Sequence, residues 1–381
     1  MHGRKTAGVA LVGCGFVADF YVRTLAAYPQ LELLGVTDRD SARASSLAAH
    51  HGLNAYPTLA DLLHDDRVAI VVNLTNPRSH FEVSRAALEA GKHVYSEKPL
   101  AMTFGEAREL VTLARRAERL LGSAPCSVLG ETAQTLWRAL RQRLIGDVRL
   151  VYAEMDDGMV HRMPHSLWVS ESGARWPSRD EFETGCTLEH AGYYVTWLTA
   201  FFGPVGRVTA FASRRVPDKL GDDPSLATET PDFSVACLEF QSGVVARLTC
   251  SIVAPHDHSL RIIGDEGLLS TKDCWYYGSP VRLQRTLRIR RRTILNPFSR
   301  SVPLARRSRR FLTRASAQMD FARGIAEMAS ALDENRPCRL SAEYGLHNTE
   351  VVLAIQGSPR LGTPYLVETT FAPMAPMPWA L

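Results

Sequence analysis

The sequence predicts an α/β chain in two domains: an N-terminal doubly wound parallel sheet, then an α+β domain with a large open, mostly antiparallel sheet. Three observations predict this. Over residues 1–125, apolar runs of strand length alternate with amphipathic helical patterns, as repeated strand–helix–strand units require. After Pro125 the texture changes to period-two segments with helical patterns between them. At 381 residues the chain is too long for one core and suits two of ordinary size. The domains are therefore placed at 1–125 and 126–381.

Gly8–Val12 reads as a strand, followed by a glycine turn and a helical pattern through Tyr28. Leu31–Asp38 is a second strand, Ser41–His51 a helix and Leu59–Leu63 a helical turn. Val68–Leu74 is apolar on both faces, as a buried parallel strand must be. Ser79–Ala90 is helical, His93–Ser96 a strand and Phe104–Leu120 a long helix with three-to-four spacing. In the second domain a helix over Glu131–Leu144 ends at Gly146, a residue suited to a C-cap. Strands follow at Arg149–Glu154, Arg207–Ala212, Phe233–Phe240, Val244–Ser251, Ser259–Gly264 and Gly267–Ser270. Helices are placed at Leu188–Phe202, Ala317–Leu332 and Ala342–Gln356. The segments Arg214–Glu229 and 282–314 read as the least structured.

Composition narrows the function class. Hydrophobic residues make up 45% and charged residues 22%, ordinary for a globular protein. Seven scattered cysteines form no Cys-x-x-Cys pair, which suits reduced thiols and neither a disulfide framework nor a zinc site. No apolar run is long enough to span a bilayer, and the start lacks a cleavable leader pattern, so a cytoplasmic protein is expected. The net charge of +4 argues against a dedicated nucleic-acid binder.

Chemistry concentrates at strand ends. Val9–Val12 runs into Gly13-Cys14-Gly15-Phe16-Val17-Ala18, a Gly-x-Gly-x-x-Ala pattern between strand and helix. Gly13 permits the tight turn, and Gly15 lets a pyrophosphate approach backbone N–H groups. Ala18 allows close helix–sheet packing. Asp38 follows about 20 residues later, at the end of the second strand, where a carboxylate accepts the adenosine ribose hydroxyls and repels a 2′-phosphate. This favours NAD over NADP, with Arg39 offsetting part of the repulsion. The loop Thr75-Asn76-Pro77-Arg78-Ser79-His80 and the stretch Gly91 to Leu100 also fall at strand ends, placing Thr75, Asn76, Pro77 and His80 among the cofactor-binding candidates.

Gly91-Lys92-His93-Val94 leading into Glu97-Lys98-Pro99 resembles the glucose–fructose oxidoreductase/inositol dehydrogenase/rhizopine-catabolism (Gfo/Idh/MocA) family. The resemblance extends over nearly the whole chain. It implies a Rossmann domain joined to an α+β domain whose open sheet often mediates dimers or tetramers. It also implies an NAD(P)-dependent oxidoreductase acting on CH–OH groups of a sugar, cyclitol or sugar nucleotide. Lys98 then lies beside the substrate hydroxyl, stabilising developing alkoxide or relaying its proton. Pro99 shapes the loop, and Glu97 fixes it and approaches the nicotinamide ribose.

The second half of the site departs from the family pattern Gly-Gly-x-x-x-Asp-x-x-x-His. Here the aligned stretch is Gly185-Cys186-Thr187-Leu188-Glu189-His190-Ala191-Gly192-Tyr193-Tyr194, so His190 takes the Asp position and Tyr194 the His position. Four-residue spacing puts both on one helical face. Tyr194 is the acid/base candidate; His190 orients substrate or is itself the acid/base. The opposing reading is that Tyr193, Tyr194, Trp197, Phe201 and Phe202 simply fill a core. Gln134 stands where members often contact substrate, and reads equally as an exposed helix residue. His161, Arg162, Trp168 and Trp176 suit a sugar ring and its polar groups in the loop 155–176. No metal is expected. The competing functions are an NAD-dependent glycosidase working by transient oxidation and a non-catalytic dinucleotide-binding regulator.

Residues 282–314 hold twelve arginines, no lysine and no acid. Subtracting those charges from +4 leaves −8, so the chain is acidic with one cationic segment. It reads as a solvated insertion, or as an anion surface for a sugar-nucleotide diphosphate, an acidic glycan or the anionic face of a membrane.

Overall fold

The computed structural model describes residues 6–219, 228–307, 319–358 and 362–381. Two compact units emerge. The first comprises 1–126, 164–184 and 321–349; the second comprises 127–163, 185–320 and 350–381. Two segments that the linear reading assigns to the second domain, 164–184 and 321–349, thus pack with the first.

The first unit contains β1 (Ala7–Val12), α1 (Ala18–Leu25), β2 (Leu31–Thr37), α2 (Ser41–His51), α3 (Leu59–His64), β3 (Ile70–Asn73), α4 (His80–Glu89), β4 (His93–Ser96), α5 (Phe104–Arg116) and β5 (Leu121–Ser123). All five strands are parallel, in the order β2-β1-β3-β4-β5. Val9, Ala10 and Leu11, with Ile70, Val71 and Val72, are fully buried, which is why both central strands are apolar without alternation. Helix ends follow local chemistry: Asp40 caps α2 by accepting from the Ala42 N–H at 3.0 Å, and Thr103 with Glu106 forms a capping box on α5. The order reverses direction beside β1, so the loops after β1 and β3 flank the switch point where open sheets bind ligands.

The second unit contains α6 (Glu131–Arg141) and β6 (Val148–Asp156); α7 (Ser178–Thr184) intervenes in sequence and belongs to the first unit. A π-helical turn at Thr187–Ala191 leads into α8 (Gly192–Phe202). Then come β7 (Val205–Ser213), β8 (Phe233–Phe240), β9 (Val245–Ser251), β10 (Leu260–Gly264), β11 (Gly267–Thr271), β12 (Val281–Ile289), β13 (Arg292–Leu295) and β14 (Arg300–Val302). The helix α9 (Arg323–Asp333) returns to the first unit, α10 (Ala342–Gln356) ends in the second, and β15 (Tyr365–Leu366) closes the sheet. The sheet order is β13-β12-β11-β10-β6-β9-β8-β7-β15, with β14 on β12. Its pairs are antiparallel except β6 with β9.

One expectation is corrected. Residues 282–302 are an antiparallel ribbon extending the sheet, not an irregular insertion. Pro297 and Pro303 sit between and after its strands, where a missing N–H costs no ladder bond. Arg309, Arg310 and Arg314 lie outside the described residues.

Candidate active site

In the first unit the cofactor-type loops converge at the carboxyl ends of β1–β4. Gly13 has φ +100°, and a Cβ there would lie 2.6 Å from the Leu74 backbone, so glycine is required. Around Gly15 a Cβ would meet nothing within 4 Å. That open space beside the N-terminus of α1 fits a pyrophosphate. Asp38 accepts from the Cys14 N–H at 2.7 Å and the Asp40 N–H at 2.8 Å, leaving lone pairs for ribose hydroxyls. Phe16 packs edge-on to Phe20 with ring centroids 5.9 Å apart, Val17 caps α1, and Arg39 is exposed beside Asp38. The Cys14 thiol is pushed up to about 12 by burial and then by the Asp38 charge, so it stays protonated.

The Glu97-Lys98-Pro99 loop is held from several sides. Glu97 accepts from the Tyr21 hydroxyl at 2.7 Å and from the Lys98 N–H at 2.8 Å. The Lys98–Pro99 peptide is cis. His80, assigned to the cofactor from sequence, has another role. It is fully buried, with Nδ1 2.6 Å from the Pro99 carbonyl and Nε2 3.0 Å from the Thr75 carbonyl. Both ring nitrogens are thus used to tie the β3 loop to the β4 loop. Thr75 donates its hydroxyl to Asn73 at 2.6 Å, Asn76 donates to Asp180 at 3.5 Å, and Pro77 opens a 3₁₀ turn.

In the second unit, residues flanking three neighbouring strands meet. Asp157 follows β6, His258 precedes β10, and Asp273 follows β11. His258 Nε2 is 2.6 Å from one Asp157 oxygen, and His190 Nδ1 is 2.7 Å from the other. His258 Nδ1 lies 3.8 Å from Asp273. Burial alone would raise Asp157, but the positive charge and hydrogen bond of His190, with His258 beside them, hold it well below the usual carboxylate range. Burial likewise opposes the charge on His258, yet Asp157 and Asp273 outweigh it and push the imidazole up to about 9. The Trp275 ring lies 4.5 Å from His258 and 6.4 Å from His190. With His258 and Asp157 spent on each other, His190, its side chain 18% exposed, is the one of the two histidines that meets solvent.

Tyr194 is corrected. It is fully buried against Trp197, and its hydroxyl donates to the His258 carbonyl. Burial, followed by the neighbouring Cys274 and Asp273, raises its phenol well above the usual value. It supports His258 from beneath and is not an acid/base group. Gln134 is corrected as well: fully buried, it donates to the Val128 carbonyl and accepts from the Met377 N–H, each at 2.8 Å. The proposed specificity loop divides between the units. His161, 3.2 Å from the Ile252 carbonyl, and exposed Arg162 belong to the second. Trp168 and Trp176 belong to the first and pack on each other at 5.1 Å.

Sequence reasoning did not place Asp157, His258, Asp273 or Trp275 in the site. The available signal was the Asp156-Asp157-Gly158 run at a strand end. His258, Asp273 and Cys274 bring metal-type donor atoms within 4.8 Å of one another. Burial and Asp273 push the Cys274 thiol well above its usual value and keep it protonated, which suits hydrogen bonding more than metal ligation.

Comparison with known proteins agrees with this two-domain fold. The oxidoreductase-family model for an NAD-binding Rossmann fold matches residues 7–124, and the GFO/IDH/MocA C-terminal domain model matches residues 133–270. A trans-1,2-dihydrobenzene-1,2-diol dehydrogenase from Oryctolagus cuniculus is 26% identical over 271 residues, 70% of this chain and 75% of that one. Among solved structures, the Bordetella pertussis WlbA dehydrogenase, in complex with NADH and UDP-GlcNAcA, has a TM-score of 0.72 at 19% identity, covering 96% of this chain and 99% of its own. An Agrobacterium radiobacter oxidoreductase in complex with NAD+, L-tartaric acid and magnesium has a TM-score of 0.75 at 16% identity, covering 95% and 99%. With both of its domains matched by the family models and its glycine loop shaped for a dinucleotide, the chain belongs to the GFO/IDH/MocA family of NAD-binding oxidoreductases.

Proposed function

We propose that the protein is an NAD-dependent dehydrogenase of a sugar, cyclitol or sugar-nucleotide hydroxyl, with Lys98 and His190 as its catalytic residues. The observation that carries the reading is the fixing of the Lys98 loop: Glu97 holds the Lys98 N–H, Tyr21 holds Glu97, and His80 ties down Pro99. A loop restrained at several points is what a precisely placed catalytic group needs. The Lys98 ammonium stabilises negative charge on the reacting oxygen. His190 takes or returns the proton, and the Asp157 carboxylate behind it orients the ring and stabilises its charged form. Asp38 selects NAD by accepting ribose hydroxyls where a 2′-phosphate would be repelled. When bound, the nicotinamide accepts or returns hydride. Exposed Arg162 and the Trp275 wall suit an anionic carbohydrate.

Native mass spectrometry of the purified protein, followed by turnover with sugar nucleotides and uronates, tests this. Retained NAD(H) and net change in its redox state with one of those substrates are expected. Sugar release without net redox change, or NADP bound in preference to NAD, contradicts it.

A further inference from the structure

The arginine-rich strands serve no part of the site described above, yet they are built as an ordered ribbon. β12 and β13 pair in register, Leu287 opposite Ile294 and Ile289 opposite Arg292, with Arg290 and Arg291 as the two-residue turn between them. Directly opposed residues in an antiparallel pair share a face. One face of the tip therefore carries Leu287, Ile289 and Ile294 beside Arg292, while the other carries Arg288, Thr293 and Leu295. Ile289 is 54% exposed and Phe298, in the loop to β14, 82%. Arg285 pairs with Glu266 and Arg306 with Glu131, but Arg288, Arg290, Arg291 and Arg292 have no acidic partner among the described residues.

We propose that this ribbon is a docking element for an anionic lipid bilayer. Two features point to that occupant. The tip concentrates positive charge with no acidic partner among the described residues, in a segment (282–314) outside which the chain sums to −8. Apolar side chains are exposed on both faces of the ribbon and on the adjoining loop, ringed by guanidinium groups. A polyanion such as nucleic acid or an acidic glycan uses the charges but leaves these apolar groups in water. A protein partner covers one face of a ribbon. An interface that is apolar below and anionic above receives both faces of an inserted tip.

The experiment is flotation of the full-length protein with vesicles of phosphatidylcholine alone, and of phosphatidylcholine mixed with phosphatidylglycerol, at low and high salt. Flotation with the anionic vesicles and loss at high salt are expected. Each arginine replaced lowers the partition coefficient about fivefold, so R290Q/R291Q/R292Q lowers it on the order of a hundredfold. I289S/F298S keeps every charge and should weaken binding by at least about tenfold. Because all these side chains are exposed on the ribbon or its adjoining loop, both variants should unfold at the wild-type temperature and bind NAD as wild type does. Three results overturn the proposal: no flotation with anionic vesicles, flotation unaffected by I289S/F298S, or a wild-type dimer in light scattering that either variant converts to monomer. An I289S/F298S variant that binds heparin as wild type does but has lost the vesicles supports it.

Discussion

Asp157 is the residue on which the second unit's polar cluster depends, because one carboxylate meets His258 with one oxygen and His190 with the other. His258 is fully buried and braced at its carbonyl by the Tyr194 hydroxyl, which is why the proposed mechanism gives the exchangeable proton to His190. Replacing His190 by Gln should lower kcat by about a hundred- to ten-thousand-fold, with unfolding temperature little changed. Tyr194→Phe should leave kcat within about threefold while lowering stability by about 1–3 kcal/mol, since a buried carbonyl loses its donor. Steady-state kinetics and thermal unfolding of both variants check this, and equal damage to kcat would return Tyr194 to the chemistry. Gln134→Leu strands two buried backbone groups and should cost about 2–4 kcal/mol in a denaturant titration. The spacing of His190 and Tyr194 was legible in sequence as a shared helical face, and both do reach the Asp157–His258 pair. That one lies at the edge of this cluster and the other beneath it depends on the depth of α8, which neighbouring strands set and local pattern does not encode.

Among the elements, the loops at the carboxyl ends of β1, β2 and β4 were readable because their chemistry is local. A glycine pair after an apolar strand, and a carboxylate at the end of the next, state their purpose at short range. The two glycines nevertheless differ. Gly13→Ala forces a Cβ into the Leu74 backbone at positive φ and should destabilise the fold by several kcal/mol, on the order of 3. Gly15→Ala meets open space, so its unfolding temperature should match wild type while NAD affinity falls at least about tenfold. Calorimetry of unfolding and NAD titration of both variants separate these effects. β5 escaped the reading because three residues, Leu-Gly-Ser, carry no periodicity. The ribbon escaped for the opposite reason. Alternation of Val281 and Leu283 with exposed Arg282 was present, but the density of arginine and two prolines hid it. Those prolines proved to be strand boundaries.

For the molecule as a whole, linear order concealed that residues 164–184 and 321–349 join the first unit. Chain crossings of that kind leave no composition signal. Its stability should also record the buried ionic cluster. The folded value of His258, about 9, stands above its ordinary 6.5, so its contribution is complete below about pH 6.5 and is lost as pH rises through 9. Asp157 is shifted the other way; its contribution is present above its ordinary 3.8 and fades on acidification. Unfolding free energy measured against pH should therefore fall between about pH 6.5 and 9 by up to about 3 kcal/mol, and His258→Gln should flatten that slope. The central claim, that a dinucleotide-binding unit presents Lys98 to the reacting hydroxyl, is tested most directly by Lys98→Met. NAD affinity and turnover of that variant should be measured side by side on the substrate identified for wild type. Unchanged affinity with turnover reduced at least about a thousandfold is the predicted result; turnover equal to wild type would contradict the account.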